Sequence, residues 1–215
     1  MDKIFLRAAL ALACLCGAAS AASAQQPQVR QGGGGGLDNM SLPPTLERAA
    51  AAERWPTFAP EGEGFSVAMP GKPVDAAAEK RAGGAAAAAD ARARSYRVKA
   101  DGIVYEVTRT GQIPAALFEM KGFEQDFLAS LAGSLPASAR NEWPHMKLEL
   151  SGQRPTTLGG FAGREFDLSS ADYRSRVRAF VVDRSLLIVA MTGARAAFTD
   201  AKFDKYFGSL RLTGR

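Results

Sequence analysis

Cysteine is nearly absent from this chain of 215 residues: Cys14 and Cys16 are its only two. Small domains in oxidising compartments usually carry disulfides. Beyond position 16 none can form, so packing alone must hold the core. Histidine is scarcer still, with His145 the single example. Zinc sites draw on Cys and His, and one His cannot supply such a set. No Gly-x-Ser-x-Gly elbow occurs, and no Gly-rich loop is followed by Lys-Ser/Thr, so serine-hydrolase and P-loop chemistry lack their motifs. Long apolar runs are also missing. The longest, Ala8–Ala19, is rich in alanine and shorter than the roughly 20 residues of a spanning helix. A strong charge of one sign is absent too: 27 basic residues face 22 acidic ones, a net charge of +5. With so small an excess and no recognition motif, a nucleic-acid partner is not expected.

What is present is a globular composition, 47% hydrophobic and 23% charged. The first 24 residues read as an address. Lys3 and Arg7 form a charged start, the apolar run follows, and Ala22-Ser23-Ala24 is an A-x-A cleavage site before Gln25. Cleavage between Ala24 and Gln25 gives an exported protein with no transmembrane segment, periplasmic or secreted. The alanine-rich style suggests a bacterium. An alternative reading lipidates Cys14 after Leu12-Ala13. Against it, Ala11 stands where a bulky aliphatic residue belongs, and the apolar run continues past the cysteine. Removing residues 1–24 takes away Asp2, Lys3 and Arg7 and lowers the net charge of +5 by one.

Residues 25–56 form a linker arm. Gly32–Gly36 is a run of glycines that cannot bury apolar surface. Thr45–Arg54 favours a short helix with an alanine face, marginal on its own. The compact domain is expected at residues 57–215, long enough to build a core without staples. Residues 75–94, almost all Ala with charged residues and Gly83-Gly84, read as a surface excursion. It is either a binding loop or a plain insertion.

Within the domain, Phe65–Met69 alternates and stops at Pro70-Gly71. Ser95–Ala100 and Ile103–Thr110 flank Asp101-Gly102, a hairpin signal. Phe123, Phe127, Leu128, Leu131 and Leu135 recur at helical spacing, and Gly133 and Pro136 suit that helix's end. Met146, Leu148 and Leu150 alternate as a half-buried strand. Gly159-Gly160 reads as a turn, followed by alternation at Phe166 and Leu168. Arg174–Val182 and Ser185–Thr192 flank a second tight turn at Asp183-Arg184. The unbroken apolar run Leu186–Met191 predicts a strand covered on both faces. Thr199 is a good N-cap, with Phe198 and Phe203 placed for a hydrophobic staple and Tyr206 and Phe207 on the same helix face. A short strand closes at Ser209–Leu212. Strands and helices in this order, without regular βαβ alternation, predict an α+β fold with a mostly antiparallel sheet.

These residues carry a resemblance. Glu63-Gly64-Phe65-Ser66-Val67-Ala68-Met69-Pro70-Gly71-Lys72-Pro73 resembles the opening strand of the PsbP/Mog1-like domains. Tyr105-Glu106-Val107, Gly160-Phe161-Ala162-Gly163-Arg164-Glu165-Phe166 and Phe207-Gly208-Ser209-Leu210 are similar to later motifs of that superfamily, over about residues 57–213. The resemblance implies an α/β/α sandwich, a central antiparallel sheet between helices. It also implies binding rather than catalysis. One member accompanies photosystem II, another binds a nuclear GTPase, and no shared catalytic set or cofactor exists to carry over.

The sharpest surface feature is Arg174, Arg176 and Arg178. Spacing of two puts all three on one face of a strand. Arg97 and Lys99 repeat the spacing on another strand, and together the five are a candidate basic patch for an acidic ligand or partner. The alternative is a solvated sheet edge paired across strands with Glu165 and Asp167. His145 lacks an oriented nucleophile and reads as a surface histidine. Glu61-Gly62-Glu63-Gly64 offers two acids but no full calcium ligand series. Three functions remain: an exported, non-enzymatic binding or accessory domain for an envelope protein, an anion-binding envelope protein using the arginines, and a hydrolase using carboxylates such as Glu149, Glu165 or Asp167. On the anion-binding reading, Arg176→Ala weakens binding without unfolding the domain.

Overall fold

The computed structural model describes residues 55–76 and 93–214. The expected signal peptide, most of the linker arm and residues 77–92 of the excursion lie outside the described residues. The chain forms β1 (Thr57–Phe58), β2 (Phe65–Ala68), β3 (Val74–Asp75), β4 (Arg94–Ala100), β5 (Ile103–Gln112), α1 (Ala115–Phe118), α2 (Phe123–Glu142), β6 (Glu149–Leu158), β7 (Phe161–Ser169), β8 (Tyr173–Val182), β9 (Ser185–Ala194), α3 (Asp200–Ser209) and β10 (Arg211–Leu212). Seven strands make one sheet in the order β3-β4-β5-β9-β8-β7-β6, and β1-β2-β10 make a small second sheet. Every pairing is antiparallel.

Three hairpins organise the large sheet, each closed by two residues at positive φ: Asp101 (50°) and Gly102 (73°), Gly159 (56°) and Gly160 (88°), Asp183 (48°) and Arg184 (62°). Such turns match the right-handed strand twist, which is why two-residue loops prefer them. The third does without glycine.

The sheet is covered on both sides. Strand side chains alternate between faces, so β8 sends Val177, Ala179 and Val181 one way and Phe180 and Val182 the other. On the first face they join Phe166, Leu168, Leu186 and Ile188 beneath Phe123, Phe127, Leu128, Leu131 and Leu135 of α2. On the second they join Tyr105, Val107, Leu187, Val189 and Met191 beneath Tyr206 and Phe207 of α3 and Phe65 and Val67 of β2. β9 lies at the sheet's centre and is buried on both faces, as its unbroken apolar run predicts.

α3 starts as expected: the Thr199 side chain accepts a hydrogen bond from the Lys202 amide at 3.2 Å. α2 departs from expectation. It continues through Gly133 and Pro136 to Glu142. Pro136 has no N–H for the carbonyl four residues back, yet the turns beyond it bury Ser138 and set Ala139 and Trp143 against the first core. Packing outweighs the local break. The strand expected from Met146 starts only at Glu149, because Pro144–Met146 is a 3-10 turn and Lys147 takes φ 47°. The excursion leaves beside its point of return: Val74 pairs with Arg97 and Asp75 with Tyr96.

Candidate functional site

The three stripe arginines share a face of β8, the one covered by α3. Register places Glu165 opposite Arg178 and Asp167 opposite Arg176. On the other side of β7, Arg154 stands opposite Glu165. Arg178 Nε donates to Glu165 Oε2 at 2.6 Å and Arg176 Nε to Asp167 Oδ1 at 2.6 Å. Arg174 Nη2 reaches the same Asp167 oxygen at 3.2 Å. Arg154 pairs with Glu165 and lies 3.8 Å from Asp167. Glu165 keeps only 2% side-chain exposure, and a carboxylate that deep needs compensating charge. The arginines supply it.

Aromatic rings close the ladder from above. The Arg176 guanidinium stands 4.1 Å from the Phe203 ring centroid, and Arg178 stands 4.9 Å from that of Phe207. Arg174 is 6.0 Å from Phe198. Cations over aromatic faces are attracted by the ring quadrupole, more so when desolvated. The staple residue Phe203 therefore rests on Arg176 and Arg178. The pairing with Glu165 and Asp167 is the one the sequence suggests. It is not a solvated edge, however, because α3 roofs it.

Arg97 and Lys99 do not join this group. They point to the opposite face of the sheet, where Arg97 meets the C-terminal end of α2, with the sheet between them and the stripe. This corrects the expectation of one five-residue patch. The cause is register: Arg97 faces Glu106, and Ser95 faces Thr108, on the α2 side of β4 and β5. Arg97 Nη2 donates to Glu106 Oε2 at 2.8 Å and also pairs with Glu142 of α2. Burial pulls the Arg97 guanidinium down, but Glu106 and Glu142 outweigh it and leave it above its ordinary value. Lys99 is exposed.

Polar groups converge around Glu106. Its Oε1 accepts from Ser95 Oγ at 2.7 Å, and Thr108 Oγ1 donates to Ser95 Oγ at 3.0 Å. Ser175 and Thr192 hydroxyls share a bond of 2.7 Å on neighbouring strands. Between these groups and α2 lies a cavity of about 90 Å³, walled by Leu135, Leu168, Val177 and Ile188, with Glu106, Ser138 and Glu142 among its polar lining. Sequence reasoning missed it. The alternation of Glu106 with Tyr105 and Val107 was visible, but not what α2 would lay across it, because the helix was expected to end before Ser138.

The remaining candidates are placed simply. His145 is exposed, its ring 5.7 Å from that of Tyr173. Glu61–Gly64 is a turn in which the Glu63 carbonyl accepts from Arg109 and its carboxylate from Tyr96. No group of three potential metal ligands occurs among the described residues. Glu149 is exposed on the edge strand. No described helix is long and apolar enough to cross a membrane.

No family model matches the chain, and no curated protein matches it. Solved structures do. Cyanobacterial PsbP (CyanoP) from Synechocystis sp. PCC 6803 superposes with a TM-score of 0.53 at 11% identity, over 83% of this chain and 98% of that one. A Pseudomonas aeruginosa protein of unknown function gives a TM-score of 0.36 at 14% identity, over 67% of this chain and 85% of that one. The chain has a PsbP-like α+β fold.

Proposed function

We propose that this protein is an exported, non-enzymatic binding or accessory domain. The observation that carries the reading is the superposition on CyanoP, which takes in 98% of that chain. The reading gains support from the ion-pair ladder. Glu165 and Asp167, two carboxylates on one face of β7, each hold more than one arginine. Acid–base work would require them to give those arginines up. A framework so tied suits a rigid surface on which a partner docks.

The anion-binding reading keeps one favourable observation. Four guanidinium groups, from Arg154, Arg174, Arg176 and Arg178, meet two carboxylates. The excess is positive, and Arg154 and Arg174 are its exposed members at 57% and 34%.

Two measurements test the proposal. N-terminal sequencing of the protein recovered from the periplasm and medium should begin at Gln25. A product that stays in the cytoplasm with Met1 intact removes export. Cross-linking in intact cells should then yield one defined protein adduct that persists in moderate salt. Adducts only to acidic polymers, lost as salt rises, would move the reading to the arginines.

A further inference from the structure

The cavity beneath the C-terminal end of α2 carries a second, separate binding reading. One water needs roughly 10–15 Å³, so about 90 Å³ accepts a molecule of several heavy atoms. The walls are apolar, from Leu135 and Ala139 of α2 across to Val177 and Ile188 of the sheet. Such walls suit a body of ring size.

Ser138 shows that the site is incomplete. A serine on a helix can turn back to the carbonyl of the preceding turn. Ser130 does so onto Phe127 O at 2.7 Å, and Ser134 onto Leu131 O at 3.2 Å. Ser138 stands one turn further along, borders the cavity and is 8% exposed. Its Oγ has no hydrogen-bond partner among the described residues. A buried hydroxyl left unpaired costs stability, and a ligand that pairs with it recovers that cost.

The sheet offers a second unspent hydrogen. Ser175 and Thr192 line the same cavity, are buried, and share one bond of 2.7 Å. Two hydroxyls carry two hydrogens, and that bond uses one. The neighbouring hydroxyls on β4 and β5 have spent theirs: Ser95 donates to Glu106 and Thr108 donates to Ser95. Helix and sheet thus each bring a hydroxyl donor to an otherwise apolar space.

Charge narrows the head group. The charged side chains at the end of the cavity are already tied, because Arg97 pairs with both Glu106 and Glu142. A charged ligand would leave water for a site whose charges are engaged with one another, and burying a charge without a partner is expensive. A neutral head avoids that cost. A carbonyl oxygen, with two lone pairs and no hydrogen of its own, takes up what the hydroxyls hold unspent.

We propose that the cavity between α2 and the sheet binds a small neutral carbonyl compound with an apolar body, of the ketone or lactone class, its oxygen accepting a hydrogen bond from Ser138 Oγ. This does not rest on the macromolecular docking proposed above.

The test is a nuclear magnetic resonance titration of the full chain as recovered from the expressing cell. The probes are cyclohexanone, methylenecyclohexane (the same shape without the oxygen), cyclohexylamine and cyclohexanecarboxylate. Cyclohexanone should give saturable shifts centred on the amides of Ser138, Thr108 and Ala190. The two charged probes should bind at least about tenfold more weakly, since each must shed its hydration without gaining a counter-charge. Ser138→Ala keeps a good helix former. It should weaken cyclohexanone several-fold, the size of one hydrogen bond, and leave methylenecyclohexane no weaker. Ala190→Leu, which fills the cavity, should abolish the shifts. If no probe gives saturable shifts there, or if they persist in Ala190→Leu, the site is overturned. A charged probe that binds as tightly as cyclohexanone overturns the neutral class. Cyclohexanone and methylenecyclohexane responding alike to Ser138→Ala overturns the hydrogen bond to the carbonyl.

Discussion

The ring of Phe180 on β8 lies directly against the Cα of Gly163, its partner across β7. A methyl group on Gly163 would stand 2.7 Å from Phe180 Cε1 and 2.8 Å from the Ala179 carbonyl oxygen. Phe180 is fully buried, at 1% exposure, so the ring has nowhere to retreat. Gly163→Ala should therefore lower unfolding free energy by about 1–3 kcal/mol, the usual cost of overpacking. Urea denaturation would measure it. A variant as stable as the parent would mean that the ring moves freely.

Arg176 should matter to the fold itself. Its guanidinium is held by Asp167 at 2.6 Å and lies under Phe203, with 14% exposure. Arg176→Ala removes a charge-assisted bond and the support beneath a helix, and should destabilise by about 2 kcal/mol. Arg154→Ala, at 57% exposure, should cost less than about 1 kcal/mol. Equal costs would show that the roof of α3 adds nothing.

Alkaline stability should depend on Tyr105. Burial, and then Asp101, push its hydroxyl up to about 12 from an ordinary 10.0. Tyr206 is raised as well, first by burial and next by Glu106. Below pH 10 both states keep the Tyr105 proton and its contribution is complete. Between about 10 and 12 the unfolded chain releases a proton that the folded one retains, so stability falls as pH rises. The Tyr105 hydroxyl has no partner among the described residues. Tyr105→Phe should thus leave neutral-pH stability little changed and make the alkaline fall shallower. Melting temperatures from pH 8 to 12 decide it; superimposable curves would count against the assignment.

Gly133 sits inside α2 with nothing within 4 Å of where a methyl group would go. Gly133→Ala should stabilise by about 0.5–1 kcal/mol through reduced freedom of the unfolded chain. A loss of stability in thermal melts would show that the helix needs glycine there.

Much of the fold was legible in the chain because strand alternation and turn chemistry are local. Asp101-Gly102 and Asp183-Arg184 closed the hairpins where alternation broke, and Thr199 capped its helix. The run Leu186–Met191 announced the central strand. What was not legible depended on distance. Gly133 and Pro136 read as a helix end, because local propensity has no knowledge of the sheet that Leu135 and Ser138 would reach. Arg97 and the β8 arginines have the same spacing, and spacing cannot say which side of a sheet a strand presents. That follows from pairing with β5 and β7, residues away in sequence. The cavity was hidden for the same reason. Its lining comes from α2, β5, β7, β8 and β9, with no two elements contributing a common motif.

The alternation of β8 has a further effect. Its odd positions from Ser175 to Val181 face α2, and its even ones carry the three guanidinium groups before Phe180 and Val182. Sliding the strand by one residue would drive Arg174, Arg176 and Arg178 under the apolar side of α2 and turn Val177 and Ala179 toward two stranded carboxylates. No partial gain rewards that arrangement. The ladder thus works as a registration mark: a hairpin one residue out of step would set its charges against apolar side chains.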